Sequence, residues 1–353
     1  MTAPVVEAPP SSAPFIRQQR AAALRRYRSS AVAVVCGLGV GAIILFWAGA
    51  NPLRAYGTIV SGSFGSSFGF TELLVEMVPL LIIALGLSVA FEAHVWNVGA
   101  EGQFYVGALC GGMLAIYLPG ALGALGIPLS LIAGAAGGAV WGGLVAVMRV
   151  RRGASEIITS LLLNYVAIFL FAYMIRKPLR DPKGYYPVSR PIPADVRLPT
   201  LPVVHVHAGL LIALLLVPVF VYLLRYTPFG FSLTAMGQGR ETAEATGIDV
   251  AGNLLKAMAI SGAAAGLAGV IQILGVQFIL QSGISPGFGY TAIIVALLGR
   301  NRPIGILVAS VLVSMLAIGG VALQVGQGIS SAAVSTISAL FILFLVVAQR
   351  LEA

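Results

Sequence analysis

The chain has 353 residues, of which 58% are hydrophobic and only 9% are charged, and its mean hydropathy is +0.97. A soluble core of this size does not need so much apolar surface, whereas runs of about 20 apolar residues are long enough to cross a bilayer. The ~10-residue alternation of a transmembrane β-barrel is absent. The composition therefore predicts an all-α, polytopic transmembrane helical bundle.

The net charge of +9 does not indicate nucleic acid as a partner, because no basic segment is interleaved with aromatic residues. Basic residues of membrane proteins collect on cytoplasmic loops, which explains the charge more simply. The two cysteines, Cys36 and Cys110, lie inside apolar runs, so neither a disulfide framework nor a metal site is expected.

Residues 1–30 are polar, rich in proline and then basic, and we expect a disordered cytoplasmic N-terminus there. No cleavage site for a signal peptide follows it. Phe15–Arg28 carries five arginines. This segment is either a basic helix on the anionic leaflet or a simple positively charged flank of the first span.

Residues 31–350 form the predicted transmembrane domain, with about ten apolar segments. They are 31–49, 72–91, 98–118, 123–148, 156–175, 208–225, 255–280, 289–299, 303–323 and 330–349. The segment 289–299 is too short to cross ~30 Å of hydrocarbon. It is either a half-helix or it extends upstream through Gly287.

The positive-inside rule predicts the orientation. With the N-terminus and C-terminus cytoplasmic, fourteen of the 21 Lys and Arg residues lie inside and seven lie outside. The loop 176–207 is then extracytoplasmic although it is basic and rich in proline, and the loop 226–255 is cytoplasmic. The expected location is a plasma membrane, crossed many times.

The first polar stretch is Phe91–Phe104, FEAHVWNVGAEGQF. We expect one helix to end near Val98 and the next to begin at Ala100, with Asn97 as the N-cap. Glu101 would then lie in a first turn, where the helix dipole favours a carboxylate. Asn97, Glu101 and Gln103 are either a cap with a satisfied buried carboxylate or a gate and pathway element.

A second polar group lies in the segment that starts with Ser155. Ser155 is the predicted N-cap and Glu156 the first helical residue. Ser160 and Asn164 share one face, and an asparagine inside a membrane helix is expected to face the bundle. Asn164 either bonds a neighbouring helix or contacts the solute.

The segment 256–281 combines small residues with amides. Three glycines form a stripe that allows close helix packing: Gly262, Gly266 and Gly269. Gln272 follows one turn later, and Gln277 and Gln281 form a second polar pair. Because amides hydrogen-bond neutral solutes without a charge penalty, Gln272 and Gln277 are candidate pathway residues.

The loop 226–255 is too polar to enter lipid. Within it, residues 240–246 read as a short helix that ends at a glycine. Such an exposed helix predicts the docking of a cytosolic partner, and an ordinary surface loop is the alternative. The candidate coupling residues are Arg240, Glu241, Thr242, Ala243, Glu244, Ala245 and Gly247.

The chain lacks the motifs that would let it supply energy or catalysis. The dipeptide Gly-Lys does not occur, so no P-loop holds ATP, and no HExxH or CxxC motif is present. The three aspartates lie in predicted loops, whereas ion-coupled carriers place acids at mid-membrane. The two halves, about 70–175 and 255–350, each contain a break, at Gly99 and at Gly287, and such breaks meet at the site of many transporters.

Four motifs in order resemble one family, the permease subunits of bacterial ABC importers of the branched-chain amino acid/ribose superfamily, nucleoside (simple-sugar) branch. They are NVGAEGQ at Asn97–Gln103, EIITSLLLNY at Glu156–Tyr165, AMGQGRETAEATGI at Ala235–Ile248 and ALLGRNRP at Ala296–Pro303. Together they cover about residues 70–350.

The resemblance implies a fold like that of type II importers. It also implies that residues 240–247 are the coupling helix, seated in a separate ATPase subunit that binds the ATP. Two ATPase subunits, a second homologous permease and an extracytoplasmic solute-binding lipoprotein would complete the importer. The implied solute is neutral and polar, in first place a nucleoside. A simple sugar such as ribose or galactose is the alternative, and a stand-alone secondary carrier is the rival class.

Overall fold

The computed structural model describes residues 39–47, 49–118 and 125–351 of the chain. The predicted disordered N-terminus and the basic segment Phe15–Arg28 lie outside these residues. Within the described ranges the chain is helical, and its β-structure consists of two isolated bridges, Arg180 with Ser189 and Thr200 with His207. The predicted all-α class is therefore confirmed.

Residues 39–47 are helical, and the longer helices that follow are numbered in chain order. They are α1 Pro52–Phe64, α2 Ser67–Glu92, α3 Ala100–Tyr117, α4 Gly126–Arg152, α5 Glu156–Arg176, α6 Gly209–Tyr226, α7 Pro228–Gln238, α8 Arg240–Ala245, α9 Val250–Gln272, α10 Phe288–Leu298, α11 Pro303–Gln327 and α12 Ser331–Leu351. A π-helical turn, Ile273–Gln277, continues α9.

Six of the helices in the described residues are long and apolar enough to cross a membrane. They are α2, α4, α5, α6, α9 with its π-helical turn, and α11. α10 has only 11 residues, about 16 Å at 1.5 Å per residue, so the predicted half-helix is confirmed. It begins directly after Gly287, whose φ of 101° is readily adopted only by glycine.

Two helices were not predicted as separate elements. α1 contains Arg54, Thr58, Ser61 and Ser63, and this polarity hides it from a search for apolar runs. α7 lies in the loop 226–255, where only the short helix α8 was expected. Both are amphipathic or short, so tertiary packing decides their existence more than hydropathy does.

The described residues fall into two compact units. One comprises residues 39–56 and 327–351, and the other is Gly57–Gly326. In the larger unit α2 is the most buried span. α9 packs against α2, α3 and α4, while α10 packs against α2.

The glycine stripe of α9 has the predicted effect. A methyl group added at Gly266 would lie 2.9 Å from Gly138 Cα, and one added at Gly262 would lie 3.3 Å from Gly142 Cα. A methyl group at Gly269 would be 3.0 Å from the carbonyl carbon of Phe104. The backbones of α9, α4 and α3 therefore approach too closely for any side chain at these positions.

The loop 176–207 is held against the end of α9 by backbone hydrogen bonds. Ser189 N donates to Leu280 O at 2.9 Å, Ile192 N donates to Phe278 O at 2.8 Å, and Leu198 N donates to Leu274 O at 2.9 Å. The loop thus satisfies carbonyl groups that the irregular backbone after α9 leaves open. Its placement outside the membrane stays a prediction.

His207 lies at the end of this loop, against the π-helical turn. Its side chain is 3% exposed, and neither ring nitrogen has a hydrogen-bond partner among the described residues. The ring lies 2.6 Å from the position of a methyl group added at Gly275. Because burial penalises the charged imidazolium, the pKa of His207 is lowered from 6.5 to about 4.

This shift predicts that folding stability falls on acidification. Between pH 6.5 and about 4 the unfolded chain binds a proton at His207 and the folded chain does not, so the free energy of unfolding decreases as the pH falls. The full shift corresponds to about 3 kcal/mol. Thermal unfolding in detergent from pH 7.5 to 4.5 measures it. His207→Leu should make the unfolding midpoint depend less on pH. His205→Asn, at an exposed site, is the control and should keep the pH dependence of the unchanged protein. The same pH dependence in the unchanged protein and in both variants would contradict the role given to His207.

Candidate functional site

The break between α2 and α3 is longer than the sequence predicts. α2 ends at Glu92 and α3 begins at Ala100, so residues 93–99 are not helical. The predicted continuation of the first helix to Val98 is therefore wrong. The N-cap of α3 is Gly99, which has no side-chain cap, so the prediction of Asn97 as N-cap is wrong as well.

Asn97 makes other bonds instead. Its Oδ1 accepts from Gly99 N at 3.0 Å, a local Asx-type bond that folds the backbone before the helix starts. Its Nδ2 donates to Gln103 Oε1 at 2.9 Å and to Ser261 Oγ at 2.9 Å, and Gln103 Nε2 donates back to Asn97 Oδ1 at 3.1 Å. Asn97 and Gln103 are both 0% exposed, so this amide pair is closed to solvent.

Asn164 ties α5 to both sides of the break. Its Oδ1 accepts from Gly102 N at 2.8 Å, and its Nδ2 donates to Val98 O at 2.9 Å and to Tyr290 Oη at 3.2 Å. Asn164 is 0% exposed, which confirms that it faces the bundle. The predicted start of α5 at Ser155 and Glu156 is also confirmed, although Ser155 makes no side-chain cap bond.

Glu101 joins the two helix breaks. In the first turn of α3, its Oε2 accepts from Gly289 N, in the first turn of α10, at 2.7 Å. Glu101 is 3% exposed. The N-termini of α3 and α10 therefore both lie beside the carboxyl group of Glu101. The positive end of each helix dipole stabilises negative charge there. The breaks at Gly99 and Gly287 meet, as transporter breaks do.

The two remaining pathway candidates lie elsewhere. Gln272 is the last residue of α9 and is 7% exposed. Gln277 accepts from Gln281 Nε2 at 2.7 Å, in the π-helical turn. Gln272 lies eleven positions beyond Ser261, about 16 Å along the helix, so the candidates form two groups rather than one site.

The predicted short helix is present as α8, and its C-terminal glycine has the expected conformation. Gly247 has a φ of 84°, and Ile248 N donates to Ala243 O at 3.0 Å, which closes the last turn. Ala243 is 2% exposed and anchors the helix. The other candidate coupling residues are exposed: Arg240, Glu241, Thr242, Glu244, Ala245 and Gly247.

Sequence reasoning missed the contacts between α7 and the α2–α3 break. Thr234 Oγ1, in α7, donates to Glu92 Oε1 at 2.7 Å. His94 Nδ1 donates to the carbonyl oxygen of Gly237, and His94 itself has a left-handed φ of 53°. We define this set of four residues as the α7 clasp. The partners are about 140 positions apart, so no local pattern reveals them.

The chain that forms these two helix breaks and the exposed helix α8 is similar in sequence to known proteins. The family model described as the branched-chain amino acid transport system permease component matches residues 69–348. The chain belongs to this permease family. The resemblance drawn from the four motifs is therefore confirmed. No solved structure matches the chain.

Individual relatives match the permease over nearly its whole length. The glucose ABC transporter permease protein TsgB13 of Haloferax volcanii is 35% identical over 92% of this chain and 88% of its own length. The nucleoside permease protein NupB of Lactococcus lactis is 31% identical over 91% of both chains. The guanosine permease protein NupP of Bacillus subtilis is 30% identical over 89% of this chain and 91% of its own.

The bonds of Asn164 predict that its loss destabilises the permease. Asn164→Ala removes the partners of the buried Gly102 N–H and of the partly buried Val98 C=O, and an unsatisfied buried group costs about 1–3 kcal/mol. Tyr165→Phe is the matched control, because Tyr165 is 54% exposed. Thermal unfolding of both variants in the same detergent measures the difference. A midpoint for Asn164→Ala equal to that of the control would show that the break does not depend on this side chain.

Proposed function

We propose that this permease is the membrane-spanning subunit of an ATP-driven importer, and that its solute is a nucleoside. The observation that carries the proposal is the exposed helix α8, joined through α7 and the α7 clasp to a buried helix break. A chain without a P-loop needs an outside source of motion, and this path leads from an exposed surface to the interior. The permease needs no cofactor of its own, since a partner binds the ATP.

The proposed assembly contains two ATPase subunits, a second homologous permease and an extracytoplasmic solute-binding lipoprotein. Both termini and the loop 226–255 face the cytoplasm, where α8 meets the ATPase. The loop 176–207 faces outward, where the lipoprotein delivers the solute. The family membership and the excess of basic residues on the α8 side support this arrangement.

The choice of a neutral solute rests on relatives named for guanosine, nucleosides and glucose. The amides near the α2–α3 break are bonded to one another and to the backbone, so they add no charge that would oppose such a solute. The acid that lies among them, Glu101, has its carboxyl group engaged by Gly289 N. Aspartate is absent from the spans, but glutamate is not, since Glu76 and Glu101 lie within α2 and α3.

Two solute classes have support among the relatives. Those named for guanosine and nucleosides favour a nucleoside. The relative named for glucose has the higher identity, 35%, and makes a simple sugar the second candidate. A stand-alone carrier is disfavoured, because the matched relatives are named as permeases of ABC transporters.

The test is ATP-driven uptake into right-side-out vesicles that contain the permease with its partner subunits. Labelled guanosine uptake should be ATP-dependent, and unlabelled nucleosides should compete while glucose does not. Deletion of residues 240–247 should abolish uptake but leave capture by the lipoprotein intact. Because this deletion removes the anchor Ala243, Thr242→Trp, at an exposed site, serves as the milder variant. Uptake that persists in both variants would refute the coupling role.

The α7 clasp predicts a mutation that separates ATP hydrolysis from transport. Thr234→Val removes the bond to Glu92, so movement of α7 would reach the break less efficiently. We expect uptake to fall about tenfold, the loss of roughly 1.4 kcal/mol of coupling, while hydrolysis by the assembled complex persists. Ser232→Ala, whose hydroxyl bonds only within α7 at Pro228 O, is the control. A parallel loss of hydrolysis and uptake would contradict the separation.

A further inference from the structure

A non-helical segment, residues 278–287, connects the π-helical turn to α10. Near its start, a methyl group added at Gly112 of α3 would lie 2.7 Å from Leu280 Cδ2. Just past its end, Gly289 N donates to Glu101 Oε2 at 2.7 Å. Gly112 lies eleven positions beyond Glu101, about 16 Å along α3. The segment therefore runs through a depth close to half of a ~30 Å hydrocarbon core.

The backbone of residues 281–286 lacks hydrogen-bond partners in the protein. Among the described residues, no backbone N–H or C=O group of this stretch is bonded, whereas Leu280 N, just before it, donates to Ser189 Oγ at 2.9 Å. Ser285 Oγ accepts from Gly287 N at 3.0 Å and from Phe288 N at 2.9 Å, so this serine caps the start of α10 only. Because unpaired peptide groups are costly away from water, the stretch needs a hydrogen-bonding environment outside the described chain.

The same stretch is open on one side. Three of its residues are exposed in the described structure: Ser282, Gly283 and Pro286. Non-helical backbone at membrane depth is tolerated only where protein buries it or where it lines a water-filled cavity. Since the described part of the chain leaves these three residues uncovered and their backbone unpaired, water is the environment that satisfies them.

Tyr290 lies at the deep end of the segment, in the first turn of α10. Its side chain is 37% exposed, and its hydroxyl oxygen accepts from Asn164 Nδ2 at 3.2 Å, which fixes the ring beside the α2–α3 break. Tyrosines exposed on spans usually lie at the membrane surface. Tyr290 instead lies about 12 Å from the other end of α10 at Leu298, so its exposed ring faces the bottom of the opening that residues 281–287 leave.

The groups around this opening suit a flat, neutral solute. The exposed phenol ring offers a stacking face, which attracts any nucleobase. Neutral N–H and O–H groups bond the carbonyl oxygens, ring nitrogens and hydroxyls of a nucleoside without a charge penalty, and residues 278–290 contain no charged residue. A simple sugar would use the hydrogen bonds but has no aromatic ring to stack.

We propose that residues 281–287 and Tyr290 line a water-filled vestibule, and that the base of the solute stacks on the Tyr290 ring there. The unpaired N–H groups of residues 281–285 bond the rest of the solute. The stacking role rests on the proposed nucleoside function, whereas the vestibule does not. The solute would then be held beside the α2–α3 break, without entering the saturated amide bonds of Asn97 and Gln103.

The first test measures water access by thiol labelling of the full-length permease, assembled with its partner subunits in right-side-out vesicles. Cys36→Ala with Cys110→Ala removes the two native thiols, and Ser282→Cys or Pro286→Cys adds one to the segment. A charged, membrane-impermeant thiosulfonate reacts with the thiolate, which forms in water, so both variants should be labelled. Val140→Cys, 73% exposed in the middle of α4, is the apolar control and should react at least tenfold more slowly.

The second test measures recognition of the base. Saturating guanosine should slow the labelling of Pro286→Cys, and adding Tyr290→Leu should remove this protection. In uptake, Tyr290→Leu should raise the KM for guanosine about tenfold through the lost stacking, while Tyr290→Phe, which keeps the ring, should raise it far less. Tyr222→Leu, 63% exposed on α6, is the matched control and should leave the KM unchanged.

Three outcomes would overturn the proposal. Labelling of Pro286→Cys as slow as that of Val140→Cys would show that lipid or the second permease covers the segment. Equal increases of KM in Tyr290→Phe and Tyr290→Leu would assign the effect to the lost bond with Asn164 instead of stacking. Absence of guanosine uptake by the unchanged complex would refute the proposed solute and the stacking role, while the labelling result would still decide on the vestibule.

Discussion

The constraint on which the rest of the structure depends is the backbone of residues 93–99. The segment alternates buried residues, Ala93, Val95, Asn97 and Gly99, with the exposed His94 and Trp96, and its buried N–H and C=O groups must find partners within the protein. Asn164 does this from α5, bonding Gly102 N and Val98 O. The side-chain amides of Asn97, within this segment, and of Gln103, in α3, bond each other and so fix the segment against α3. Side chains, rather than regular secondary structure, thus support this break.

The meeting of α3 and α10 follows from that support. Once residues 93–99 are folded back, the first turn of α3 lies inside the bundle and carries Glu101 into it. Glu101 turns this into a contact by accepting from Gly289 N, and Tyr290 of α10 bonds Asn164. The half-helix α10, too short to cross the membrane alone, is therefore fixed by the same residues that hold the other break.

Hydropathy predicts the spans well because burial in lipid acts on whole runs of residues, and it also identifies α10 as a half-helix. Local capping rules give the start of α5 at Ser155, although that serine makes no side-chain cap bond, and they give the end of α8 at Gly247, where the helix end is decided by nearby residues. They fail at Asn97, because bonds to Gln103 and to the distant Ser261 replace the cap. The α7 clasp depends on partners such as Glu92 and Thr234, 142 positions apart, and a single sequence carries no signal for such a pair.

The saturation of the buried amides also bears on their role. The side-chain amides of Asn97 and Gln103 bond each other, and Asn97 also bonds Ser261. The amide of Asn164 bonds the backbone of the break. A solute could bond these groups only if existing bonds were exchanged, which costs as much as it returns. They are therefore better suited to hold a closed state than to select a solute. A movement of α7 that pulls on Glu92 and His94 acts on residues 93–99 directly, so a gate at this break would open without any solute contact there.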